Sequence, residues 1–153
     1  MKLLLRISIR ISPFLYMGLI WFLSSHPSDA FIDTGLSFDG LLKESLHLIE
    51  FAILYILLIM AILTYSKLTT RASMLAAIGA IAYGFIDEFH QYFVPSRSAT
   101  VIDLVKDTVG VLIVYYLVKK YYFDARDNKI SIRVHRIAAY LYPNARDLQD
   151  GED

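Results

Sequence analysis

Hydrophobic positions fall into four long runs, at residues 7–23, 46–64, 74–93 and 101–122, separated by polar stretches at 24–40, 65–73 and 94–100. A helix needs roughly 20 mostly apolar residues to cross a bilayer. The pattern therefore predicts an all-α, polytopic protein: a bundle of four transmembrane helices over residues 1–123 and a separate tail over 124–153. In the tail, Ile130, Val134, Ile137, Ala138 and Leu141 recur at helical spacing, with Lys129, Arg133 and Arg136 between them. A basic amphipathic helix of this kind lies on the inner leaflet. Ile130, Ile132 and Val134 also alternate, which suits a strand. Asp147, Asp150, Glu152 and Asp153 predict a disordered acidic end.

Composition agrees with a membrane protein. Of the 153 residues, 56% are hydrophobic and none is cysteine. That excludes disulfides, thiol nucleophiles and thiolate metal sites. No glycine-rich phosphate loop, basic–aromatic nucleic-acid motif or HExxH metal motif is present, so neither nucleic acid nor a cofactor nor a metal is expected.

Net charge is zero, but the signs are separated. Lys2, Arg6, Arg10, Lys67, Arg71, Lys119, Lys120, Arg126, Lys129, Arg133, Arg136 and Arg146 fall on one side of a four-span chain. Lys43, Arg97 and Lys106 fall on the other, with Asp29, Asp33 and Asp39. The positive-inside rule then places both termini in the cytoplasm. An alternative reads Lys2, Arg6 and Arg10, a short apolar stretch and Ser28-Asp29-Ala30 as a cleaved signal peptide, leaving three spans.

Three carboxylates interrupt the apolar runs: Glu50, Asp87 and Asp107. An intramembrane charge costs at least about 2.5–3.5 kcal/mol, so such groups are rare and usually functional. At about 1.5 Å per residue each lies roughly 10 Å below the outer end of its helix. His47, His90 and Asp103 lie about one turn nearer the outer surface. Lys43, His47 and Glu50 share one helix face; Asp87, His90 and Gln91 share another, with Glu88 turned aside; Asp103, Asp107 and Gly110 share a third. Lipid cannot solvate these groups, so they are expected to face one another or a water-filled cavity open to the exterior. Arg97, in the outer loop, suits pairing with Asp87, Glu88 or Asp103, bidentate binding of an anionic group, or a plain place on the exposed rim. For Lys43, Glu44 and Asp103, snorkelling or helix capping is the simpler role.

Asp87-Glu88-Phe89-His90-Gln91, then Val94-Pro95-Ser96-Arg97-Ser98, then Asp103 and Gly110, resemble the signature of the VanZ-like bacterial membrane proteins. His47-Leu48-Ile49-Glu50-Phe51 resembles that family's His-x-x-Glu-aromatic element, and Ser24-Ser25-His26-Pro27 its Ser-Ser-Gln-Pro stretch. Asp107 departs from the pattern, where asparagine is common. The founding member is associated with resistance to teicoplanin, a glycopeptide that binds a lipid-linked wall precursor. The resemblance implies a multi-pass protein of the bacterial cytoplasmic membrane and a substrate at its outer face; it names no reaction.

Three functions suit these residues. An enzyme would use Asp87 or Glu50 as general base, His90 or His47 as its partner and Arg97 as an anion clamp, with Glu88, Gln91, Asp103 and Asp107 around the ligand. A binding protein would hold a lipid head group, wall precursor or glycopeptide without changing it. A proton-coupled carrier needs a polar path through the inner half of the spans, and residues 53–63, 76–82 and 111–117 offer almost none. A purely structural polar network is the remaining alternative.

Overall fold

The computed structural model describes residues 2–26, 39–95, 97, 100–124 and 128–142, with the backbone alone at 2 and 39–47. The suggested cleavage motif at 28–30 and the acidic end at 147–153 lie outside these residues. All described secondary structure is helical: α1 Lys2–Ser24, α2 Asp39–Leu63, α3 Thr70–Gln91, α4 Val101–Val118 and α5 Lys129–Leu141. A π-helical turn, Lys119–Asp124, prolongs α4. The helical alternative for the tail is the one adopted; the strand is not.

The starts of three helices are written in the sequence. Thr69, Thr100 and Asn128 each accept a hydrogen bond from a backbone N–H one turn on, at Ala72, Asp103 and Ser131. Pro13 sits inside α1, where it cannot donate to the carbonyl of Ile9. The hydroxyl of Ser12 takes that place, 2.9 Å from Ile9 O, so the helix continues.

Helix α2 packs against α1, α3, α4 and α5 and supplies much of the core: Phe51, Leu54, Tyr55, Ile59 and Leu63. Helix α3 meets it with a face of small residues, Ala76, Ala77, Ala80 and Gly84. Between α2 and α4 the backbones touch. A Cβ at Gly110 would overlap the carbonyl oxygen of Leu48 and lie 2.9 Å from its carbon. Small residues at such crossings let helices approach closely where no hydrophobic effect drives them together.

The outer surface is apolar. Phe14, Leu15, Phe22, Leu75, Phe85, Phe89, Ile102 and Tyr116 are among many exposed hydrophobic side chains. Among the described residues, two helical segments, Leu3–Ser24 and Thr70–Gln91, are long and apolar enough to cross a membrane, against the four predicted. Helix α4 falls short because its 18 residues hold Asp103, Lys106 and Asp107. In α2 the part described with side chains is a shorter apolar segment, Leu48–Leu63.

Candidate functional site

The polar residues of the four helices gather at the end where α1 and α3 terminate. Asp87 is buried, with 1% of its surface exposed. The hydroxyl of Ser24 donates to its Oδ1 at 2.6 Å, and the amide of Gln91 donates to its Oδ2 at 2.7 Å. Both donors are neutral. Gln91 reaches Asp87 because residues four apart stack on one helix face.

One turn below, Gly84 opens space for α4. A Cβ at Gly84 would lie 3.6 Å from both Cβ and Oδ2 of Asp107, and 3.5 Å from the ring of Phe51. Asp107, also 1% exposed, is therefore lodged beside α3 and α2. Glu88 is buried as well, although helix periodicity turns it away from Asp87. Glu50 is half-buried and close enough to interact electrostatically with Tyr16 of α1 and Tyr83 of α3; Tyr83 is also within range of Asp87. The hydroxyl of Tyr83 donates to the carbonyl of Met17 at 2.7 Å. Carboxylates from α2, α3 and α4 thus collect around one stretch of α3, Tyr83–Glu88. The side chain of His47 lies outside the described residues.

Two expectations need correction, those for Asp87 with His90 and for Arg97; Asp103 takes the capping role expected of it. Asp87 and His90 do not bond to each other. His90 instead bonds through Nε2 to Ser25 Oγ at 3.0 Å and stacks on Trp21 with ring centroids 3.8 Å apart. Ser25 donates its only proton to the carbonyl of Trp21 at 2.6 Å, so it accepts from His90 Nε2–H. That polarity is opposite to a serine nucleophile activated by a histidine base. Arg97 makes no bond to Asp87, Glu88 or Asp103. Its guanidinium donates to Leu23 O in the last turn of α1 and to His26 O just beyond it, each at 2.8 Å. Asp103 folds back into the start of α4: Thr100 donates to its Oδ2 at 2.6 Å and Lys106 to its Oδ1 at 3.1 Å.

Trp21, Ser24 and Ser25 are the contributors that periodicity did not single out. Adjacent hydroxyls at the end of an apolar run were the available signal: a side chain there either caps its own helix or donates to a neighbour. Among the described residues no group of three His, Asp or Glu side chains is arranged to hold a metal ion.

The VanZ/LLP1 family model matches residues 4–123. The chain belongs to that family. The VanZ/LLP1 match takes in α1 from its third residue, α2 to α4 and all but the last residue of the π-helical turn, and leaves α5 outside. No curated protein and no solved structure shows significant similarity to the chain.

Proposed function

We propose that this VanZ/LLP1 protein spans the bacterial cytoplasmic membrane four times, with both ends in the cytoplasm. At its outer side it would recognise the polar head of an amphiphilic envelope molecule, such as a lipid, a lipid-linked wall precursor or a glycopeptide. The observation that carries this is the inverted distribution of polarity: Asp87, Glu88 and Asp107 are buried at one end of a bundle whose surface is apolar. A continuous exposed apolar surface marks contact with lipid or a partner. Acids kept inside such a bundle face each other or a ligand. Half-buried Glu50, His90 and Arg97 form the more accessible part of the layer. An apolar groove along α3, lined by Ile78, Ile81, Ala82, Phe85 and Ile86, suits the ligand's hydrocarbon.

Recognition without covalent change fits the geometry better than catalysis. Asp87 has both oxygens bonded, and Arg97 is engaged by backbone carbonyls. The same bonds favour a second reading, in which Asp87 only holds α1 to α3.

The test is mass spectrometry of lipids retained by the protein in native membrane discs, for the wild type, Glu50→Gln and Asp107→Asn. A polar-headed lipid retained by the wild type and lost from both variants, at unchanged folded yield, supports recognition. Identical lipid profiles in all three would reject it.

A further inference from the structure

We propose that α5 is an anchor for anionic lipid on the inner leaflet, already docked on the bundle before it meets the membrane. This goes beyond head-group recognition at the outer side and rests on the bundle lying in a bilayer with its carboxyl end on the cytoplasmic side.

Going round α5, Ser131 and Ala138 are buried against the bundle, and Leu141 beside them is buried too. The stacking of His135 on Tyr122, centroids 5.0 Å apart, fixes the contact with the π-helical turn. Arg6 at the start of α1 donates to the carbonyl of Tyr142 at 3.4 Å. The rotation of α5 about its axis is therefore set by protein contacts.

What remains outward is ordered. Next to the docked face come Ile130 and Ile137, 52% and 56% exposed. Beyond them come Arg133 and Tyr140, then Lys129 and Arg136, all exposed. Lys119 and Lys120 on the π-helical turn are exposed too. The two elements carry five Lys and Arg residues against one acid, Asp124. An apolar strip flanked by cations and a tyrosine matches the boundary between acyl chains and anionic head groups. In this arrangement Ile130 and Ile137 dip into the leaflet, and Lys129, Arg133 and Tyr140 lie among the head groups. Ile132, about 140° round the helix from Ile137, faces the cytoplasm.

Trp21 is the chain's sole tryptophan, which makes a clean fluorescence test. In the full chain with Trp21→Phe, Ile137→Trp and Ile132→Trp are compared in vesicles of brominated phosphatidylcholine, with and without phosphatidylglycerol. The expected result is several-fold stronger quenching at 137 than at 132. Quenching at 137 should fall when phosphatidylglycerol is omitted or salt is raised. Adding Arg133→Glu and Arg136→Glu, both on the undocked side, should abolish the phosphatidylglycerol dependence while α5 remains helical. Equal quenching at the two positions, or indifference to phosphatidylglycerol, overturns the proposal. Quenching of Trp21 in the unaltered chain reports on the bundle: if Trp21 is quenched and 137 is not, only the α5 anchor fails; if Trp21 is not quenched either, the membrane reading fails with it.

Discussion

The hydroxyl of Ser24, the last residue of α1, lies 2.6 Å from Asp87 Oδ1, one turn before the end of α3, and joins two helix ends 63 residues apart in sequence. Removing the hydroxyl with Ser24→Ala strands a buried carboxylate oxygen, at a cost of about 1–3 kcal/mol. Unfolding in mild detergent should register the loss. In the Asp87→Asn background the same change should cost less, because a neutral amide oxygen is cheaper to leave without that donor. A double-mutant cycle with no coupling would show that the bond contributes nothing.

Gly110 and Gly84 predict opposite responses to the same substitution. Gly110→Ala drives a methyl group into the backbone of α2 at Leu48 and should cost about 1–3 kcal/mol or prevent assembly. Gly84→Ala meets its neighbours at 3.5–3.6 Å, ordinary contact distance, and should be tolerated. Folded yield by size-exclusion chromatography separates the two.

Arg97 should behave as a helix tether. Arg97→Ala removes two charge-assisted bonds, to the carbonyls of Leu23 in α1 and His26 just after it, worth about 1.5–3 kcal/mol each when fully formed. Arg97→Lys keeps one at best and should fall between alanine and the wild type in thermal stability. Were Arg97 an anion clamp instead, both variants would keep the wild-type melting temperature and lose ligand.

The four-span arrangement makes a labelling prediction. Since the chain has no cysteine, single substitutions are unambiguous reporters. In intact cells an impermeant maleimide should label Tyr92→Cys, at an exposed position just past α3, and should miss Arg133→Cys on α5 until the cells are opened. Labelling of both from outside would refute the topology.

The helices were legible because apolar runs and capping residues are local signals, and Thr69, Thr100 and Asn128 mark starts directly. Spacing alone also placed Glu50, Asp87 and Asp107 at one level of the bundle. The partners of these groups were less legible. Arg97 finds backbone carbonyls, which every residue carries and no letter distinguishes. Asp103 was the legible exception: it caps its own N-terminal turn, the simpler role its position offered. Glu88 is buried despite its turned position because α3 ends among neighbours on more than one side. Among the described residues, composition alone marks α1 and α3 as crossing segments, whereas Asp103, Lys106 and Asp107 put three charges into the 18 residues of α4.

Arg10 binds Thr64 at both Oγ1 and the carbonyl, at 2.8 and 2.9 Å, and lies over the ring of Tyr65. Arg97 clasps the opposite end of α1 to the loop after α3. Neither clasp draws on a carboxylate. Both ends of α1 are thus gripped by bonds that use none of the acids lying between them.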